Sequence, residues 1–280
     1  MREIAIESAR GRFGGLGNGN VGAPPLLALH GWLDNAASFL PMAPLLTHYD
    51  LVALDMPGHG RSFHYSRDAE YTPFTAILDV LAAADALGWE RFTLLGHSMG
   101  GAISTLIATA APQRIERLLL IEALGPLSGD ESETALRLRE ALAARRALDN
   151  KRKRVFDDPE IAVQARMQAS ITELDEISAR LLIGRGLREV EGGYEWSSDT
   201  RLTLPTAVRL TETQIHNCLR AIACPVRMVV ADPAPPYFPP QRRDARIACV
   251  GEIRCDVLPG SHHLHMTHPR EVAMALELSR

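Results

Sequence analysis

Short apolar runs, each followed by a turn and then by a helical pattern, recur along the chain. The runs are rich in leucine and β-branched residues, and this rhythm is typical of a mainly parallel sheet flanked by helices. Strands are predicted at residues 25–29, 49–54, 92–95, 117–122, 225–231 and 252–258. Two weaker segments, 3–7 and 11–17, predict an antiparallel hairpin at one edge of that sheet.

The stretch from about residue 126 to 222 breaks this rhythm. It contains three helix starts of the capping-box or Asp-Pro-Glu type, and these lie at Ser128, Asp158 and Thr211. No run within it has the composition of a central strand until Pro225. We therefore predict a core domain of residues 1–125 and 223–280, with residues 126–222 inserted as a mostly helical cap over one end of the sheet.

Composition and charge place the chain among ordinary globular proteins. Its 280 residues are 46% hydrophobic and 23% charged, and the formal net charge is −4. This acidic balance gives no electrostatic reason to expect nucleic acid as a partner. The first twenty residues lack the apolar block of a secretory signal, and no apolar run approaches the roughly 20 residues needed to span a bilayer. We expect a cytoplasmic protein without a membrane span, whose four cysteines are free thiols.

A Gly-x-Ser-x-Gly motif, Gly96-His-Ser-Met-Gly100, lies between the predicted strand 92–95 and a helical pattern over 102–111. To present its hydroxyl at the top of a sheet, the serine must occupy a sharp, strained turn, and glycines on both sides let neighbouring backbone come close. The N-terminus of the following helix favours an oxyanion. The motif alone is weakly specific, but in this strand-to-helix setting it predicts that Ser98 is a nucleophile.

With these residues in place, the chain resembles the α/β-hydrolases over nearly its whole length. The resemblance rests on Leu29-His30-Gly31-Trp32, on Asp55-Met-Pro-Gly-His-Gly-Arg-Ser62, on the motif at 96–100, and on Gly260-Ser-His262 seven residues before Pro269. Segments 30–39 and 194–210 are similar to the serine hydrolase-like subgroup. The resemblance implies an α/β fold with an eight-stranded, mostly parallel sheet, helices on both faces and a helical cap after strand six.

The resemblance also implies the oxyanion hole. Acyl transfer builds negative charge on a carbonyl oxygen, and each donor aimed at that charge is worth about 3 kcal/mol. By resemblance, the donors are the backbone N–H groups of Trp32 and Met99. We interpret His30 as a residue that stabilises the turn rather than as a base. Asp55 is expected to stabilise the turn after strand four, and Asp34 to shape the oxyanion loop.

Four histidines crowd the segment 262–268, and one of them is the expected base. The catalytic histidine of the resembling family lies seven residues before a proline, which selects His262. His263 is the alternative, whereas His265 and His268 are interpreted as surface or helix-start residues. A metal site is the rival interpretation, but no acidic residue stands beside these histidines at ligand spacing. We therefore predict neither a metal nor a cofactor.

The acid of the triad is the ambiguous member. The loop after strand seven, where many family members carry it, has Ala234 at the position that would align with the acid, and Asp232 lies two residues earlier before Pro233. Glu122 follows strand six, 24 residues after Ser98. That spacing matches the haloalkane dehalogenase subgroup, which takes its acid from this strand. We favour Glu122 and keep Asp232 as the alternative.

Together these residues predict a serine hydrolase that cleaves a carboxylic ester-type bond (ester, thioester or lactone) of a small-molecule substrate. Dehalogenase and epoxide-hydrolase chemistry are disfavoured, because those groups carry an aspartate nucleophile where this chain has Ser98. Two alternatives stay open. The same triad could serve carbon–carbon bond hydrolysis, perhydrolysis or acyl transfer, or the fold could be a non-catalytic ligand-binding scaffold.

Overall fold

The computed structural model describes residues 1–148, 153–168 and 174–278. The strands are β1 (Arg2–Ser8), β2 (Gly11–Gly17), β3 (Pro25–Leu29), β4 (Asp50–Leu54), β5 (Phe92–His97), β6 (Ile115–Ile121), β7 (Val155–Phe156), β8 (Leu187–Val190), β9 (Gly193–Trp196), β10 (Val226–Asp232) and β11 (Ile253–Pro259). The helices are α1 (Pro73–Ala86), α2 (Met99–Ala110), α3 (Thr134–Leu148), α4 (Pro159–Gln168), α5 (Glu176–Gly186), α6 (Glu212–Arg220), α7 (Pro240–Ile247), α8 (Leu264–Thr267) and α9 (Pro269–Ala275). No helix within these described ranges has both the length and the hydropathy to cross a membrane.

Eight of the strands form one sheet in the order β1-β2-β4-β3-β5-β6-β10-β11. β1 and β2 pair antiparallel, as do β2 and β4, and every later pair is parallel. The predicted eight-stranded, mostly parallel sheet is therefore confirmed. Because β3, β5, β6, β10 and β11 all run in the same direction, the segments that follow them emerge at one edge of the sheet.

Alternating side chains of the central strands separate the core into two layers. In β3, Leu27 and Leu29 face the layer formed with α1, α2 and α6, whereas Leu26 and Ala28 face the layer formed with α9 and the 3₁₀ helix Ala36–Phe39. Residues buried on both faces explain why the central strands appear in the sequence as nearly continuous apolar runs. The predicted helices on both sides of the sheet are present.

The segment between β6 and β10 carries α3 to α6, but it is less purely helical than the sequence suggested. β7, β9 and β8 form a small antiparallel sheet, in which a turn at Gly192 and Gly193 with positive φ connects the last two strands. Its side chains share a local core with α4 and α5, including Phe156, Val163 and Ile183. Strands of two to four residues leave little pattern in a sequence, which is why they were missed. The division into residues 1–125, 126–222 and 223–280 stays a prediction.

Buried polar contacts hold this inserted segment to the sheet domain. Arg185 of α5 bonds the carboxylate of Asp55, at 2.7 Å from Nη2, and also reaches Glu3 of β1. The carboxamide of Asn35 donates to the carbonyl of Leu182 at 2.8 Å. Charged groups removed from water need such partners, so these contacts fix where the inserted segment sits.

Candidate active site

Ser98 occupies a strained turn between β5 and α2. Its φ of 51° lies in the left-handed region, which is rare for a residue with a side chain. A Cβ placed on Gly96 would lie 2.6 Å from the backbone of Gly100, and one placed on Gly100 would lie 2.1 Å from the carbonyl oxygen of Leu29. Only glycine fits at either position. The turn thus leaves the Ser98 side chain partly exposed at the edge where the parallel strands end.

The structure brings Glu122 and His262 together. Glu122 directly follows β6, with a φ of 61°, and its Oε2 accepts a hydrogen bond from Nδ1 of His262 at 3.0 Å. The other carboxylate oxygen accepts from the backbone N–H of Ala231 at 2.5 Å, and the side chain is 1% exposed. Because the carboxylate can only accept, Nδ1 carries the proton and Nε2 keeps its lone pair. That is the tautomer a general base needs.

Asp232, the alternative acid, lies apart from this pair. It ends β10 with an exposed side chain, and in the described part of the chain its carboxylate makes no hydrogen bond to His262. Ala234, which takes the usual position of the acid, cannot serve. Of the two candidates, only Glu122 contacts the imidazole.

The segments that carry Ser98 and His262 touch directly. Nε2 of His97, the residue before Ser98, donates to the backbone carbonyl of His262 at 2.9 Å, and the centres of the two rings are 4.8 Å apart. In the described residues the His262 ring is bonded to Glu122 and Tyr237, not to the Ser98 hydroxyl. Catalytic hydrogen bonds of ligand-free enzymes often tighten only when substrate binds.

The two predicted oxyanion donors lie in turns beside Ser98. Met99 is the first residue of α2, so its N–H has no acceptor within the helix. Trp32 follows Gly31, where a Cβ would come within 2.9 Å of both Asp34 and His97. Trp32 is 44% exposed, and its Nε1 donates to the carbonyl of Leu202 in the inserted segment at 2.8 Å. The indole therefore contacts that segment, while the main-chain N–H of Trp32 stays a predicted donor.

Comparison with known proteins assigns this arrangement to a family. The family model for the alpha/beta hydrolase fold matches residues 24–167, which is more than half of the chain. The chain belongs to the α/β-hydrolase family. A probable serine hydrolase of Drosophila melanogaster is 32% identical to this α/β-hydrolase over 260 residues, covering 89% of this chain and 78% of the relative. The similarity to serine hydrolase-like proteins inferred from the sequence is thus confirmed.

Two solved structures are similar to this α/β-hydrolase over their full lengths. A hypothetical protein from Pseudomonas aeruginosa PAO1 has a TM-score of 0.92 and 42% identity, with coverage of 100% of this chain and 99% of the other. A thioesterase domain from the curacin biosynthetic pathway has a TM-score of 0.85 and 26% identity, with the same coverage. Both comparisons extend through the segment between β6 and β10.

Tyr237 is a site residue of this α/β-hydrolase that sequence reasoning missed. Its hydroxyl lies 2.8 Å from Nδ1 and 3.4 Å from Nε2 of His262. Burial, followed by the charge of Glu122, raises the pKa of the phenol, so it stays protonated near neutral pH. The resembling family places a carboxylate in the loop after β10, so a phenol there was not expected. A tyrosine five residues past Asp232 was the available signal.

His30 and Asp55 have the structural roles expected of them. The His30 ring is buried; Nε2 accepts from the N–H of Met56 at 3.0 Å and Nδ1 donates to the carbonyl of Gly31 at 2.7 Å. Burial lowers the pKa of His30, which keeps the ring neutral. Asp55 accepts from the backbone N–H groups of Ala36 and Arg61, both at 2.8 Å. Each residue fixes a turn beside the site, as predicted.

The remaining histidines of the α/β-hydrolase differ in burial. His263, the alternative base, is buried and donates from Nε2 to Asp34 at 3.2 Å, away from Glu122. His265, interpreted as a surface or helix-start residue, does lie at the start of α8, but it is fully buried rather than at the surface, with Nε2 bonded to the hydroxyl of Ser38 at 2.7 Å. That partner lies 227 positions away, so local sequence cannot reveal it, and Nδ1 of the ring has no hydrogen-bond partner among the described residues. His268 is exposed at the start of α9, as predicted.

Three side chains beside the site lie close enough together to ligate a metal ion. One ligand atom each from Asp34, His97 and His263 lies within 4.8 Å of the others. No acidic residue stands near the histidines in sequence at ligand spacing, whereas the fold supplies Asp34 from the segment after Trp32. The carboxylate of Asp34 already accepts from Arg166 at 2.6 Å. A second cation at that place would repel the guanidinium strongly in a buried setting.

Proposed function

We propose that this α/β-hydrolase is a carboxylic ester-type hydrolase that uses Ser98, His262 and Glu122 as its triad and the backbone N–H groups of Trp32 and Met99 as its oxyanion hole. The observation that carries the proposal is the bond between Glu122 and His262, with the His262 backbone held by the residue that precedes Ser98. A nucleophile, a base and an acid thus meet at one edge of the sheet.

In the first half of the reaction, Nε2 of His262 takes the proton of the Ser98 hydroxyl while the oxygen attacks the substrate carbonyl. Glu122 holds the ring in the reactive tautomer and stabilises the imidazolium that forms. The carbonyl electrons move onto oxygen, where the N–H groups of Trp32 and Met99 offset the charge. When the tetrahedral intermediate collapses, the imidazolium protonates the leaving group.

In the second half, water replaces the leaving group. Its proton passes to His262 as its oxygen attacks the acyl-enzyme, and the same two amides hold the second oxyanion. Collapse releases the acid and returns the proton to Ser98. The chemistry of these residues is complete in itself: each proton taken is given back, and no oxidant or reductant is required.

Two observations support acyl groups as the substrate class. The similar thioesterase domain extends the expected bonds to thioesters. In addition, Leu174 and Leu182 of the inserted segment form an apolar cluster with Met266, four residues beyond the base. Met167 and Trp196, by contrast, pack within the core of the inserted segment. Apolar surface next to the catalytic loop suits an acyl chain or an aromatic ester.

The direct test uses p-nitrophenyl acetate, butyrate and octanoate, together with a thioester series. Wild type should hydrolyse at least one series, and Ser98→Ala should reduce kcat by about 10⁶-fold. A fluorophosphonate probe should label Ser98 and no other residue, as read by peptide mass spectrometry. The matched control is Ser132→Ala, whose hydroxyl bonds to the exposed side chain of Asp130, and it should keep wild-type turnover.

Other outcomes would point elsewhere. Labelling of Ser98 without ester or thioester turnover would favour another reaction of the same triad, such as carbon–carbon bond hydrolysis, perhydrolysis or acyl transfer. Equal activity of wild type and Ser98→Ala, with no labelling, would favour a ligand-binding scaffold and contradict the proposal.

A further inference from the structure

A buried polar cluster lies directly behind the proposed triad. At its centre the carboxylate of Asp34, 1% exposed, accepts from Nη2 of Arg166 at 2.6 Å and from Nε2 of His263 at 3.2 Å. Nδ1 of His97 lies 3.8 Å from the same carboxylate. Burial would raise the pKa of Asp34, but His263, Arg166 and His97 together hold it well below its usual value. The centre of the cluster is therefore an anion.

Three members of the cluster are close sequence neighbours of a proposed catalytic group. His97 precedes Ser98, His263 follows His262, and Asp34 lies two residues after Trp32. Because peptide geometry is stiff, a bond that fixes one of these residues also fixes the catalytic group beside it. Asp34 bonds the His262 segment through His263, and His97 bonds the backbone of that same segment, so hydrogen bonds connect the Trp32, His262 and Ser98 segments.

His97 connects the cluster to the base by a main-chain bond. The carbonyl of His262 can only accept, so Nε2 of His97 carries the proton that makes the 2.9 Å bond. Its Nδ1 then presents a lone pair towards Asp34, and it has no hydrogen-bond partner in the described parts of the chain. Burial lowers the pKa of His97 well below its usual value, so the ring remains neutral.

Arg166 brings the inserted segment into this arrangement. It lies in α4, and its guanidinium is the one cationic side chain that bonds Asp34 within the described residues. An uncompensated buried carboxylate is strongly unfavourable. If α4 moves away, the carboxylate must draw in water or rearrange, and the three segments lose their shared anchor.

We propose that Asp34 is a positioning residue that holds the Trp32, Ser98 and His262 segments in catalytic alignment, and that it does so only while Arg166 of the inserted segment is bonded to it. The inference rests on the proposed function. The position of the inserted segment then controls the rate of the chemical step, and not only the access of substrate to the site.

The first experiment compares Asp34→Asn with wild type on p-nitrophenyl acetate. Misplacement of catalytic groups by about 1 Å can cost on the order of 10²-fold, so kcat should fall by about that factor while KM changes little. The fluorophosphonate labelling rate should fall in parallel. Normal kcat in a folded Asp34→Asn protein would overturn the inference, whereas an inactive wild type would count against the proposed function instead.

A pair of variants at His263 separates alignment from packing. In His263→Gln the amide nitrogen can still donate to Asp34, and in His263→Leu it cannot. We expect Gln to remain within about fivefold of wild type and Leu to lose about 10²-fold. Equal losses in the two variants would show that the ring acts by filling space, and would contradict the inference.

The matched control for the role of the inserted segment uses a second arginine of that segment. Arg166→Gln removes the bond to Asp34 of the sheet domain, whereas Arg180→Gln removes bonds to Glu160 and Glu176 within the inserted segment. Arg166→Gln should lower kcat about tenfold, whereas Arg180→Gln should leave kcat unchanged. Equal kcat effects would overturn the inference.

A stoichiometric metal that survives dialysis in wild type and is lost in Asp34→Asn would also overturn the inference, because the cluster would then be a metal site.

Discussion

Glu122 and His262 are 140 residues apart in sequence, yet a 3.0 Å hydrogen bond joins them. The bond is possible because β10 lies between β6 and β11 in the sheet, and the segments after β6 and β11 reach across its end. The backbone N–H of Ala231 in β10 holds the other oxygen of the carboxylate. The carboxylate of Glu122, the proposed acid, is therefore fixed by contacts from three neighbouring strands rather than by one loop.

Exchange of this acid is expected to disable the enzyme. Glu122→Gln keeps an oxygen for Ala231 but favours the wrong tautomer of His262, and such a change typically costs about 10⁴-fold in kcat. Asp232→Asn, at an exposed position without that contact, should stay within about twofold of wild type. The measurement is kcat on p-nitrophenyl acetate at matched Tm. A larger loss in Asp232→Asn than in Glu122→Gln would show that the acid was assigned to the wrong strand.

Removal of the Tyr237 hydroxyl tests its contact with the base. The phenol oxygen can accept from the imidazolium, and a hydrogen bond to a charged group is worth about 1.5–3 kcal/mol. Tyr237→Phe should therefore lower kcat about tenfold or more, while Tyr194→Phe in β9 serves as the matched control with no expected change. A rise in kcat would instead mean that the phenol restrains His262 in a non-productive position.

As the pH is lowered, the free energy of unfolding should begin to fall at about pH 6.5 rather than at about pH 4. Burial lowers the pKa of His30, His97 and His265, and it lowers the pKa of His59 to about 3. The unfolded chain binds these protons near pH 6.5 and the folded chain does not, so their contribution is complete above that pH and is lost as the pH falls. Below about pH 6.5, each ring should lower the free energy of unfolding by about 1.4 kcal/mol per pH unit.

The check is the free energy of unfolding in urea, measured from about pH 7.5 down to about pH 5. His59→Gln should be less stable overall but should lose stability less steeply with acid, because one titrating group is gone. A flat profile in wild type over this range would contradict the expectation.

A methyl group at position 100, in the turn that carries Ser98, is expected to destabilise the fold and to abolish turnover. The Cβ of Gly100→Ala would lie 2.1 Å from the carbonyl oxygen of Leu29, in rigid backbone of the central sheet. We expect a loss of about 3 kcal/mol or more in the free energy of unfolding, together with loss of turnover. Gly251→Ala, where a Cβ has no neighbour within 4 Å, is the matched control and should change the stability by about 0.5 kcal/mol or less. Similar effects at the two positions would contradict the close-approach argument.

The sequence predicted the features whose signal is local. Continuous apolar runs located the central strands β3, β4, β5, β6 and β10, because residues buried on both faces leave such patterns. The edge strands β1 and β11 are mostly exposed or half-buried, so full burial does not explain their patterns. The 24-residue spacing from Ser98 singled out Glu122, and the spacing to Pro269 singled out His262. Both residues lie together in the structure.

Features that depend on distant partners could not be predicted in this way. Asp34 and His263 are 229 positions apart, so no window of sequence shows that they pair. The burial of His265 leaves no local signal, because its partner Ser38 is equally remote. Tyr237 is not a residue type expected as the acid, so nothing in the loop singled it out, and the strands β7 to β9 are too short to establish a period. In each case tertiary contacts, not local propensity, decide the outcome.

The indole of Trp32 spans the boundary between the oxyanion loop and the inserted segment through its bond to the Leu202 carbonyl. Tryptophan emission responds to hydrogen bonding and to solvent, so displacement of residues 200–204 would alter the light emitted by a residue whose own amide is the proposed donor to the oxyanion. The fluorescence of Trp32 thus reports on a place where opening of the site would coincide with loss of the proposed oxyanion donor. Stopped-flow fluorescence of a variant in which Trp89 and Trp196 are replaced by phenylalanine would follow that movement during turnover without an added label.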